Sequence, residues 1–381
     1  MEDSQIRIPV TVGFYREVQR DLAEKFHPFM DELQKSLDRS KGSIRDELLA
    51  QGCIECLDIP EFDEPVLGVD AGVAYNDYGE ISTAIAVGVV SSTTADVAPG
   101  YFFDAIYGTS SETFNKVSGY LRIAQELEAL SHAQESGKWV LYDGSFLSAN
   151  FEICKFAASM PNNLDGAAID ADFIEWELVL DAYRRCLYSK HSSWFCCFGG
   201  MNCGKRLISV SKRGIGKYWS KRLESFARIV DSAYMPSDKM VLSLALQPGE
   251  STKPVSYEDV FSSSSHGSKV SGYGTPSTGS GTFKTQHAAV ERTFKGMRII
   301  SFKPYPWSPI LTVHYNSSEH SKKDILAVVK STMKTRSVME PMPLYLADLL
   351  SKQASSAIKL YGPVNMKRYP SLFKAFRTSK R

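Results

Sequence analysis

Two aspartates in the sequence share a local design. Asp70 follows the apolar run VLGV and precedes Ala-Gly, and Asp143 follows WVLY and precedes Gly-Ser. Short apolar runs of this kind read as buried strands. A strand that ends in Asp followed by a small residue presents a carboxylate at a sheet edge, with room for a phosphate or a metal to approach the backbone. Asp also caps turns at strand ends, so the pair carries more weight than either member. Two carboxylates gathered from separate strands repel one another unless a divalent cation neutralises them, and oxygen donors of this type select Mg²⁺ or Mn²⁺. A third acid would complete the cage. The segment QELEAL offers Glu126 and Glu128, two positions apart and so about 200° apart around a helix. At most one of them faces a sheet. Leu127 and Leu130 mark part of the buried side without choosing between the two; Glu126 is our choice and Glu128 the alternative.

A second kind of chemistry lies in the clustered cations. After the strand-like RLISVSK come Lys212, Arg213, Lys217, Lys221 and Arg222, the best internal candidate for contact with a polyanion. The C-terminal MKRYPSLFKAFRTSKR has no acid and three aromatics, Tyr369, Phe373 and Phe376, suited to stacking on bases or to docking on a partner protein. GIGK at residues 214–217 lacks the GxxxxGK[ST] spacing of a phosphate loop. ATP hydrolysis by this chain is therefore not expected, and any ATP-driven step would need a separate motor. Of the seven cysteines, Cys53 and Cys56 form a CxxC, but no second CxxC or HxxxH completes a zinc module, so buried free thiols are expected.

The elements that must position these groups follow from pattern. Residues 14–51 are dense in helix formers with a 3.6-residue apolar rhythm, residues 66–92 form a strand-rich meander, and residues 112–136 form a long helix leading to the strand KWVLYD. A further helix fits residues 173–188, strands resume at MRIISFK and PILTVHYN, and helices close the region at 322–333 and 343–360. Residues 262–281 are almost wholly Ser, Gly, Thr and Pro, too poor in apolar anchors to offset their ordering entropy, and read as a mobile insertion. The organisation is an N-terminal helical segment over 1–60, an α/β domain over 61–361 and a basic aromatic tail over 362–381.

Composition excludes several classes. With 381 residues, 43% hydrophobic and 23% charged, the chain is neither a disordered polyelectrolyte nor a coiled coil. Lys plus Arg number 44 against 43 Asp plus Glu, a net charge of +1, so nothing attracts nucleic acid or anionic membrane globally, and any polyanion site must be local. No apolar run reaches the roughly 18 residues of a membrane helix, and the start MEDSQIRIPV lacks the form of an export signal. A cytoplasmic protein without membrane contact is the expectation.

Taken in order, LGVDAG, WVLYDGSF, ISVSK, SDKMVLSLALQPGES and PLYLADLLSK resemble the NurA nuclease domain, over about three quarters of the chain. The resemblance implies an RNase H-like mixed sheet flanked by helices and a Mn²⁺- or Mg²⁺-dependent deoxyribonuclease, 5′→3′ exonuclease or endonuclease, using two ions. It also implies a role in DNA end processing and break repair beside a HerA-like hexameric ATPase, and a homodimer. Metal ligands would be Asp70, Glu126 (or Glu128), Asp143 and a late His, matched to His314 in LTVHYN with His287 and His320 as alternatives. Lys212 would stand near the scissile phosphate, and Lys212, Arg213, Lys217 and Lys221 would contact nucleic acid. The alternative function is a catalytically degenerate DNA-binding or scaffold subunit on the same fold.

Overall fold

The computed structural model describes residues 17, 19–77, 81–94, 98–109, 112–146, 206–211, 218–223, 237–262, 296–333 and 335–357. Lys212, Arg213, Lys217, the helix expected at 173–188, the Ser/Gly-rich stretch beyond Ser262 and the tail 362–381 lie outside the described residues. Within them, a wide turn of helix at Leu22–Phe26 runs into α1 (His27–Ala50), followed by β1 (Ile54–Cys56), β2 (Val66–Asp77), β3 (Ile81–Ser92), β4 (Gly100–Thr109), α2 (Glu112–Glu135) and β5 (Trp139–Asp143). Then come β6 (Leu207–Ser211), α3 (Asp238–Ala245), β7 (Glu250–Thr252), β8 (Val255–Ser256), α4 (Tyr257–Ser262), β9 (Met297–Phe302), β10 (Leu311–Asn316), α5 (Lys322–Ser331) and α6 (Met342–Ser356).

All ten strands form one sheet in the order β1-β7-β9-β10-β6-β5-β2-β3-β4, with β8 paired to β9. The meander β2-β3-β4 is antiparallel, with Asn76 and Asp77 at the end of β2 paired to Thr83 and Ser82 of β3. β5 pairs parallel to β2, and a parallel neighbour needs a crossover, which α2 supplies. β6 continues parallel to β5, and β10 returns antiparallel to β6. β5 is buried at its first four positions on both faces, the environment expected of a central parallel strand and the reason WVLY reads as a continuous apolar run.

Alternation splits the core into two layers. Leu67, Val69, Val140 and Tyr142 face α2 and pack with Val117, Leu121, Ala124, Leu127 and Leu130. Val66, Trp139, Leu141, Ile208 and Val210 face the other way, against Ile325, Leu326, Val328 and Val329 of α5 and Leu344 of α6. A third cluster joins Ile44 and Leu48 of α1 to Val241, Leu242 and Ala245 of α3. It is pinned by a two-pronged ion pair, with Arg45 Nη1 and Nη2 each 2.7 Å from a Glu250 oxygen. The Asp238 carboxylate accepts the Tyr218, Trp219 and Ser220 N–H groups there.

Two sequence expectations change at this level. β2 does not end at Asp70 but runs on to Asp77, so Asp70 lies within the strand, at the point where its neighbour β5 stops. β3 hydrogen-bonds along the whole length of β2 and carries it past that point. The thiols of the CxxC are not buried: Cys56 is exposed and Cys53 half-buried.

Two glycines set how closely the helices approach. A Cβ on Gly68 would lie 2.3 Å from the Pro343 carbonyl of α6, and one on Gly88 would lie 2.2 Å from the Gln125 carbonyl of α2. Only a residue without a side chain allows backbone to meet backbone at these points. Gly88→Ala should therefore push α2 off the sheet and cost about 1–3 kcal/mol, the usual scale of core overpacking. A urea midpoint unchanged from wild type would show that the helix is not held at this depth.

Candidate metal centre

The last rung of the parallel pair is Val69 opposite Tyr142. Asp70 and Asp143 each follow one residue later, so they leave neighbouring strands, about 4.8 Å apart, on the same face. That face is the one under α6, since Gly68 and Gly72, two positions either side of Asp70, meet the Pro343 and Ser351 backbone. α6 lays Asp348 beside Asp70, close enough to raise its pKa. Tyr142, one residue before Asp143, points to the opposite face, where its hydroxyl hydrogen-bonds the Glu126 carboxylate of α2. Because β5 ends at Asp143, nothing in β5 separates the two faces beyond it, and Glu126 interacts electrostatically with both Asp70 and Asp143. Asp70 thus feels three other carboxylates, one from the neighbouring strand and two from helices on the two faces.

Electrostatics reports the crowding. Asp70 is 8% exposed. Burial, then the charges of Glu126, Asp143 and Asp348, push its carboxyl up to about 8, against a lowering hydrogen bond from the Ala71 backbone. Glu126 is 3% exposed. Burial raises it to about 7, with Asp143 adding to the rise, while Arg122 and the Tyr142 hydroxyl oppose it. Burial and then Glu126 hold the Tyr142 phenol well above its ordinary range, so it stays a hydrogen-bond donor. Arg122 Nη1 lies 3.2 Å from Glu126 Oε2, and Lys352 Nζ lies 2.7 Å from Asp348 Oδ2.

These residues suit a hard divalent cation in kind: carboxylate oxygens supply the donors, and their shared repulsion is what a cation relieves. Among the described residues no three His, Cys, Asp or Glu side chains stand close enough to hold an ion as they are. Two of the acids have side-chain cations instead.

Of the two helical acids, Glu126 is the one turned into the core; Glu128 is only half-buried. His314 sits on β10 in the row Tyr142–Ser209–His314, two strands from β5 and on the face opposite to Asp70 and Asp143. Its Nδ1 and the Tyr257 hydroxyl are 2.7 Å apart, and burial alone pushes the ring down to about 3. His320 packs on Trp139, at the other end of β5 from Asp143; His287 is outside the described residues. Lys221 is exposed in the turn at 218–223 that packs on the third cluster. Asp348 is the acid that the sequence reading passed over. Its signal was available in PLYLADLLSK, where Leu344, Ala347 and Ser351 mark one helical face with Asp348 on its border.

A long antiparallel meander, a crossover helix and two parallel strands carrying acids side by side make this an α/β fold with one mixed sheet flanked by helices. Within that class the chain has a NurA-like fold. It is similar to the crystal structure of the NurA nuclease from Sulfolobus solfataricus, with a TM-score of 0.53 and 14% identity over 93% of this chain and 98% of that one. A NurA structure with manganese gives a TM-score of 0.52 and 10% identity over 92% of this chain and 100% of that one. No family model and no curated protein matches the sequence. Among the described residues no helix is long and apolar enough to cross a membrane.

The raised acids set a pH dependence. A folded-state pKa above the ordinary value means that the folded chain keeps protons the unfolded chain has lost, so this stability is present in acid and lost as pH rises. For Asp70 the window runs from 3.8 to about 8, and for Glu126 from 4.5 to about 7. Melting temperatures in EDTA should fall across this range, and Asp70→Asn, which cannot ionise, should flatten the fall and melt higher near pH 8. Asp70 is thus a buried acid within its strand, not one presented at a strand end as its sequence suggested. A slope of the opposite sign would overturn the buried-acid description.

Proposed function

We propose that this protein is a metal-dependent DNA nuclease that hydrolyses phosphodiester bonds with two Mn²⁺ or Mg²⁺ ions. The observation that carries the reading is the side-by-side placement of Asp70 and Asp143 on parallel strands, with Glu126 and Asp348 brought to them from helices on the two faces. It is supported by the likeness in fold to NurA, one member of which was solved with manganese. Asp70, Glu126, Asp143 and Asp348 would hold the ions. Bound there, the metal would supply an activated water and a counter-charge for the departing oxygen. The chain's own part is to keep the donors in place: Tyr142 orients Glu126, and the α6 backbone at Pro343 and Ser351 brackets Asp70. Lys212, Arg213, Lys217 and Lys221 are proposed to meet DNA phosphates, with Lys212 at the scissile group. His314 is proposed to act from the other face as a late ligand only if its bond to Tyr257 opens. A HerA-like hexameric ATPase as partner, a homodimeric state, a cytoplasmic location and a role in DNA end processing complete the proposal.

One observation favours the alternative of a catalytically degenerate DNA-binding subunit. The Glu126 carboxylate is held by Arg122 rather than left open. The two readings separate in one assay, with linear double- and single-stranded DNA and RNA, with and without Mn²⁺. Mn²⁺-dependent cleavage of DNA should be lost by at least about 100-fold in Asp70→Asn and in Asp143→Asn. Cleavage that survives in both variants, or none in wild type with DNA binding intact, would favour the scaffold.

A further inference from the structure

Two of the clustered carboxylates ride on helices, and each meets a cation one turn away on the same helix. On α2, Arg122 Nη1 is 3.2 Å from Glu126 Oε2, with side-chain exposures of 34% and 4%. On α6, Lys352 Nζ is 2.7 Å from Asp348 Oδ2, with exposures of 68% and 27%. The asymmetry has the same sense in both: the acid faces inward and the cation reaches solvent. Arg122 also stands N-terminal to its acid, the less favourable order for a pair on an isolated helix. Local helix preference does not account for this pairing; the burial of Glu126 does, because whenever a carboxylate at that depth gives up its proton it needs a counter-charge.

We propose that Arg122 and Lys352 are resident counter-ions of the metal-free site, which a divalent cation must displace from Glu126 and Asp348 in order to bind. Metal loading is then an exchange of cations rather than the filling of a bare acidic pocket. The inference rests on the nuclease reading above and deepens it. A carboxylate has room for several partners, but a hard cation at ligating distance stands within a few ångströms of the guanidinium or ammonium, and like charges that close repel. Arg122 and Lys352 can give way because their side chains are the more exposed members of the two pairs, at 34% and 68%. Glu126 cannot follow, since it is buried and held by Tyr142. After displacement the two cations stay on flexible stems beside the ions. There the planar guanidinium of Arg122 has the fork geometry that suits the non-bridging oxygens of a phosphodiester.

The test is Mn²⁺ affinity, followed by the electron paramagnetic resonance of free Mn²⁺ during titration of the full chain without DNA. Arg122→Gln should bind Mn²⁺ about tenfold more tightly than wild type. Lys352→Gln should do so by a smaller factor, because its partner is more exposed, and Arg122→Lys should stay close to wild type. Should Arg122→Gln fail to fold, Lys352→Gln at the more exposed pair reads the same sign. Variants that bind no more tightly than a wild type that does bind Mn²⁺ would overturn the exchange and leave the nuclease reading standing. A wild type that binds no Mn²⁺ would overturn both.

Discussion

Carboxylates brought together in a place that water cannot fully reach repel strongly, and the rest of this site is arranged around that repulsion. The sheet imposes the proximity. β2 and β5 are parallel neighbours in a register that leaves Asp70 and Asp143 side by side, and the helices packed on either face add Glu126 and Asp348. Each surrounding feature is a response: protons retained on Asp70 and Glu126, a hydrogen bond from Tyr142, cations from Arg122 and Lys352. In apolar surroundings an unpaired buried charge would cost far more than any one of these contacts returns.

The depth at which the helices lie decides whether the acids meet at all. α2 touches β3 at Gly88 through the Gln125 carbonyl, the residue next to Glu126, and α6 touches β2 at Gly68 and Gly72 on either side of Asp70. Close backbone approach and carboxylate placement are therefore one design. A helix displaced by a single methyl would carry its acid away from the others, and the interaction among them falls with distance.

Much of this was legible in the linear text, for reasons that differ by residue. Asp70 and Asp143 stand out because an apolar run broken by Asp and a small residue is locally unusual, and the strands, the long helix and the closing helices follow from periodicity alone. Glu126 and Glu128 were not separable, since the choice depends on how α2 is rotated about its axis, which is settled by Gln125 against Gly88. His314 attracts notice as a lone histidine in a strand, yet its surroundings are a tyrosine and a buried face two strands from β5. Asp348 was hidden for the opposite reason: an acid near a Lys on an amphipathic helix looks like a surface ion pair, and only packing on Gly72 and Asp70 makes it part of a site.

By itself the sequence determined the alternation and periodicity that build a mixed sheet between helices, and the presence of acids at the right kinds of position, because those depend on neighbours a few residues away. Which face each acid points to, how deeply it is buried and which cation it meets were decided by the tertiary structure alone. These properties arise from where β5 ends relative to β2 and from how closely α2 and α6 approach. Such long-range contacts join residues more than two hundred positions apart in the chain, as Ser91 Oγ and the Pro343 carbonyl do at 2.6 Å, with a sequence separation of 252. No local pattern encodes a contact of that kind.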